Sequence, residues 1–113
     1  MRAFIRSSSV SKVFEKGAAN GTYNCFVFTL TKSARWTGWQ LGVPFVGLYV
    51  DDNQHRITFD YDEQKDVLTE THVNLDEKKP DETAIYSINE EGLLVMDIEY
   101  NGVKSRRFYK KKP

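Results

Sequence analysis

Apolar and polar residues along this chain alternate at a period of two, in short runs cut by turn residues. The runs are rich in Val, Ile, Phe, Tyr and Thr and cover residues 22–31, 34–40, 46–50, 55–61, 67–73, 83–89, 93–100 and 103–110. That pattern predicts β-strands with one face buried. Between the runs stand Gly17, Asn20-Gly21, Gly38, Gly42, Asp51-Asp52-Asn53, Asp62-Glu63, Lys79-Pro80-Asp81, Glu91-Gly92 and Asn101-Gly102, the residues that tight turns demand. A short helix is expected only at residues 8–16, where a serine would cap Val10, Val13 and Phe14. Eight or so short strands with hairpin loops make an all-β domain, an antiparallel barrel or a sandwich.

The last two runs add chemistry. Within 93–100, Leu94, Met96, Ile98 and Tyr100 share one face, and Leu93, Val95, Asp97 and Glu99 the other. Asn101-Gly102 calls for a two-residue type I′ hairpin. The returning strand then carries Val103, Ser105, Arg107 and Tyr109 on one face. If that face lines a barrel interior, the Arg107 guanidinium and the Tyr109 phenol would grip a carboxylate, because a buried guanidinium without a partner is costly. If Phe108 points inward instead, Arg107 is solvated. On the first register Trp39, Ile85, Met96 and Ile98 would line the cavity, and Ser87 could reach a head group directly or through water.

Length and charge narrow the class. With 113 residues the chain is expected to form one domain, 1–113. Aromatics at 13% and a formal charge of zero are those of neither a disordered chain nor a polybasic nucleic-acid binder. The zero conceals an asymmetry. Residues 1–50 hold Arg2, Arg6, Lys12, Lys16, Lys32 and Arg35 against the single acid Glu15, whereas residues 51–82 hold eleven acids against four bases. Two oppositely charged solvated faces explain this, and a basic rim that meets anionic lipid surfaces transiently is the sharper reading. Cys25 stands alone, without a partner for an internal disulfide, and residues 1–6 lack the apolar run of a secretory signal, so a cytoplasmic setting is expected. His55 and His72 lack metal-ligand spacing and read as surface residues. No nucleophile, phosphate cradle or Ca²⁺ loop is recognisable, so no enzyme activity, cofactor or metal is expected.

From Trp39 onward the chain resembles the intracellular fatty-acid-binding proteins of the calycin group. Trp39-Gln40-Leu41-Gly42-Val43-Pro44-Phe45 is similar to that family's Phe-Lys-Leu-Gly-x-x-Phe, with Asp51-Asp52 at the family's spacing. Glu82-Thr83, Gly92, Gly102-Val103, Arg107 and Tyr109 keep its closing intervals. The resemblance implies an up-and-down barrel that binds and transports a small hydrophobic ligand, a fatty acid or related lipid, with Arg107 and Tyr109 as two parts of its carboxylate hook. A second arginine of that hook falls on Ser87. The family's first strand and two-helix lid have little room here, so little or no helical lid is expected.

The rival is an immunoglobulin-like β-sandwich that engages protein partners without a cavity. Cys25, Trp39 and Asp81-x-x-Ala84-x-Tyr86 resemble its landmarks. Its second cysteine, however, falls on Ile88, so the intersheet disulfide is excluded.

Overall fold

The computed structural model describes residues 2–6, 11–92 and 94–109, with side chains over 12–92 and 95–106. Ten strands follow in order: β1 (Arg2–Arg6), β2 (Ser11–Lys16), β3 (Tyr23–Phe28), β4 (Ser33–Trp39), β5 (Phe45–Leu48), β6 (Gln54–Asp62), β7 (Val67–Asn74), β8 (Glu82–Ile88), β9 (Leu94–Tyr100) and β10 (Val103–Tyr109). Every strand pairs antiparallel with its neighbours in sequence except β4 with β5, giving a sheet β1-β2-β3-β4 and a sheet β5 to β10. The meander has none of the crossovers of a Greek key, so the immunoglobulin-like alternative fails on topology. No helix occurs among the described residues.

Residues 11–16, expected as the end of a helix, are strand β2. Lys12 and Phe14 point into the space between the sheets, while Val13 is buried on the opposite face. That is a period of two. The ladder to β3, from Ser11↔Phe28 to Lys16↔Tyr23, supplies the backbone partners a helix would have supplied locally. Residues 8–10 lie outside the described residues. The expected strand 22–31 stops at Phe28, because the Thr29 side chain accepts from the Lys32 amide at 2.9 Å and closes the turn.

One irregularity positions the core. Trp36 and Trp39 are three apart, so on a regular strand they would face opposite ways. A bulge shifts the ladder between Tyr23↔Trp39 and Cys25↔Trp36. Gly38 takes φ +70° there, and its amide donates to Asn24 Oδ1 at 3.0 Å. Both indoles consequently turn inward. They join Cys25, Val27, Ile57 and Phe59 in the main buried cluster. Phe14 on β2 meets Phe59 at 5.7 Å and Tyr86 at 6.0 Å, so aromatic contacts bridge the two sheets.

The seam between β4 and β5 carries no ladder. It is held by Trp36, whose indole N–H donates to the Leu48 carbonyl at 3.0 Å. A Cβ added to Gly47 would stand 2.6 Å from the Trp36 ring. Gly47→Ala should therefore cost about 1–3 kcal/mol through overpacking, read as a lower urea midpoint. An unchanged midpoint would mean that Trp36 is free to shift at this seam.

Candidate functional site

The space between the sheets holds charged groups as well as apolar ones. Lys12 of β2 reaches across to β7, where its Nζ donates to Glu70 Oε1 at 3.0 Å and Oε2 at 3.2 Å. It also donates to the Tyr86 hydroxyl at 3.2 Å, and that hydroxyl donates to Glu70 Oε1 at 2.7 Å. The second Glu70 oxygen meets His72 Nε2, and the two Nδ1 atoms of His72 and His55 lie 3.1 Å apart. His55 Nε2 is 2.8 Å from Asp51 Oδ2 in the β5–β6 turn. The result is a continuous polar chain from the centre of the molecule to its surface.

Period two places these groups. Glu70 and His72 are two apart on β7 and project to the same side, and the register sets Phe59 opposite Glu70 and Ile57 opposite His72. Burial works against charge on Glu70, but Lys12 beside it and the donors of His72 and Tyr86 hold its carboxyl well below the usual range. Burial likewise works against the Lys12 ammonium, and the Glu70 charge more than offsets it, so that pKa stands well above normal. Tyr49 lies over both imidazoles, at 5.0 Å from His55 and 4.9 Å from His72. Burial pushes its phenol up to about 12, and burial also pushes up the Cys25 thiol.

The residues expected to line a cavity divide between two faces. Trp39 is buried, its ring stacked on Phe59 at 4.2 Å, and its Nε1 has no hydrogen-bond partner among the described residues. Met96 is buried opposite Tyr86, and Ile98 is half-buried opposite Ala84, on the same inner face. Ile85 and Ser87 occupy the other face of β8, paired with Asp97 and Val95, and Ile85 is 38% exposed. Strand parity is the cause: Glu82, Ala84 and Tyr86 turn inward, so the odd-numbered residues turn out. Ile85 there lines an outer groove of about 400 Å³ with Thr83, Asp97, Glu99, Lys104 and Arg106. Arg107 stands at the register position opposite Met96, and Tyr109 opposite Leu94. Their side chains lie outside the described residues. The hairpin before them has φ +52° at Asn101 and +76° at Gly102, as a type I′ turn requires.

His55 and His72, expected at the surface, are instead among the most buried polar residues. Lys12, Glu70 and Tyr86 were not anticipated either. The available signal was β7 itself, where Thr69, Glu70, Thr71 and His72 leave no apolar face in a strand that has to be covered.

No family model matches the chain. Among curated proteins it is 34% identical over 112 residues to the fatty acid-binding protein homolog 4 of Caenorhabditis elegans, covering 98% of this chain and 76% of that one. To a fatty acid-binding protein homolog of Ascaris suum it is 36% identical over 115 residues, covering 98% and 68%. Among solved structures, As-p18, an extracellular fatty acid binding protein, superposes with a TM-score of 0.79 at 34% identity, over 91% of this chain and 72% of that chain. A Schistosoma mansoni fatty acid binding protein in complex with arachidonic acid shares the fold, with a TM-score of 0.70 at 14% identity, over 92% and 73%.

Glu70→Gln would leave the buried Lys12 ammonium without a counter-ion and should cost about 3–5 kcal/mol of stability. The pH dependence has a definite sign. Because the folded state depresses the Glu70 pKa, its contribution is complete above the unfolded value of 4.5 and is lost as pH falls below that. Urea midpoints should therefore decline from about pH 4.5 downward, and less steeply in Glu70→Gln. Equal slopes for the two proteins would refute this assignment.

Proposed function

This chain belongs to the fatty-acid-binding protein family, and from that premise we propose that it binds a fatty acid or related single-chain lipid non-covalently between its two sheets and carries it. The observation that carries the proposal is the match to As-p18 over 91% of this chain and 72% of that one, at 34% identity and a TM-score of 0.79. The inner face suits such a cargo. Trp39, Phe59 and Met96 are buried there and Ile98 is half-buried, so the lining is apolar, and burying a methylene of the ligand contributes about 0.8 kcal/mol before the cost of ordering the chain. The buried Trp39 Nε1 donor adds a polar contact point within that apolar lining.

The head group is assigned on the family resemblance, and the two neighbouring cations fit that assignment. The Lys12 ammonium already donates to both Glu70 oxygens and to Tyr86. On the outer face, Arg106 is exposed and donates to Asp97 at 2.7 Å. Arg107, one residue further and in register with Met96, is the cation we assign to the ligand carboxylate, with Tyr109 beside it. Where this family's second hook arginine is expected, the chain has Ser87, on the outer-facing row of β8, so the hook holds one arginine.

Displacement of a fluorescent fatty acid tests the reading. The wild type should bind, and Arg107→Ala should lose about ten- to a hundredfold in affinity, because hydrogen bonds to charged groups are worth about 1.5–3 kcal/mol. Equal affinity in wild type and variant would remove Arg107 from the site. Absence of binding in both would overturn the carrier reading itself.

A further inference from the structure

A hydrogen bond holds one hydrogen between its two heavy atoms, so an unbroken chain of them fixes a proton count. Asp51 is a partly exposed carboxylate that also accepts from the Asn53 amide at 3.0 Å. Its contact with His55 Nε2 therefore places a hydrogen on that nitrogen. At the other end, Glu70 accepts from Lys12 and Tyr86. Moving the last proton onto Glu70 would leave the buried Lys12 without a counter-ion, the costly arrangement, so His72 Nε2 carries a hydrogen too. The two Nδ1 atoms, 3.1 Å apart, are joined only if one bears a hydrogen and the other does not. Three hydrogens then occupy four ring nitrogens, one more than two neutral imidazoles hold.

We propose that the His55–His72 pair is a proton-binding site that holds one excess proton, shared between its two Nδ1 atoms, and that this proton keeps the cross-sheet chain closed. The charges then balance: Lys12 and the histidine pair are each positive, and Glu70 and Asp51 each negative. The neutral groups around the pair leave that sum unchanged. Tyr49 covers both rings, Tyr86 donates to Glu70 further along the chain, and Cys25 sits in the buried apolar cluster. Burial raises all three pKa values, so they stay neutral. Glu82, opposite His72 in the β7–β8 ladder and on the inward row of β8, is half-buried and is a further carboxylate facing the pair, which favours keeping the excess proton. Trp36 packs on His72 at 5.6 Å and contributes no charge.

A second excess proton has no acceptor in this arrangement. It would set an N–H on each Nδ1, facing the other at 3.1 Å, and one ring would have to turn away from Glu70 or Asp51. Acidification through the range where imidazoles gain protons would thereby detach the β5–β6 turn from the Lys12–Glu70 tie. If the chain carries a lipid, as proposed above, this loosens the sheets around it, so ligand retention weakens in acid.

Two measurements on the intact chain test this. Imidazole ¹⁵N spectra at pH 7 should report two fully protonated Nε2 atoms, with the two Nδ1 atoms sharing a single hydrogen. A count of two hydrogens on four nitrogens would overturn the proton site, and this readout needs neither a variant nor a ligand. In fluorescent fatty-acid binding, wild-type affinity should fall about tenfold from pH 7 to pH 5.5. His72→Gln, which cannot gain a proton, should flatten that profile. Equal pH profiles for the two proteins would overturn the coupling to release. No binding at either pH would sink the carrier reading, and the proton count would still decide the pair.

Discussion

The Lys12–Glu70 ion pair ties the two sheets together and constrains much of the rest. Neither charge can be left alone between the sheets, since an uncompensated buried ion costs several kcal/mol. The N-terminal segment must therefore present Lys12 at one depth on β2 and no other. Glu70 must be satisfied on both oxygens, which Lys12, Tyr86 and His72 do among them. A hydrophobic pair could supply similar stability, so the more specific effect of the ion pair is registration. It accepts only one alignment of β2 against β7, whereas the surrounding aromatic contacts would tolerate several.

The same constraint bears on ligand recognition. Each described cation between the sheets is already matched, so the polar chain is self-contained and offers no surplus positive charge to an anionic guest. The head group then has to be met elsewhere, and the inner-row position on β10, in register with Met96 and Tyr86, is the place proposed for it. The residues from Trp39 to Ile98 between the sheets are apolar and buried or half-buried. Neutralising Glu70 within the protein thus separates the job of holding the sheets from the job of holding a cargo.

Much of the fold was legible in the chain because strands and turns are local statements. The eight alternating runs are all strands, and Asn101-Gly102 makes the hairpin its residues call for. The misreading of residues 11–16 has a plain cause. Val10, Val13 and Phe14 match a helical spacing over so short a window, and the competing ladder to β3 is non-local. Parity decided the site residues. Met96 and Ile98 belong to the inner face as the alternation of β9 indicates, but β8 carries apolar residues on both faces. Nothing local to β8 told Ile85 and Ser87 from Ala84 and Tyr86.

By itself the sequence determined the strand class, the turn positions, the alternation that puts Leu94, Met96 and Ile98 on one row, and a set of intervals shared with a lipid-binding family. These depend on backbone sterics and on periods read within a few residues. Only the tertiary structure decided that His55, His72, Glu70, Lys12 and Asp51 form one chain. Lys12 and Glu70 alone are 58 positions apart along the sequence, and the meeting depends on the register of β2, β6 and β7 and the approach of two sheets. Polar residues on a strand read as solvated unless something across the core answers them. Here Lys12, on the opposite sheet, supplies that answer.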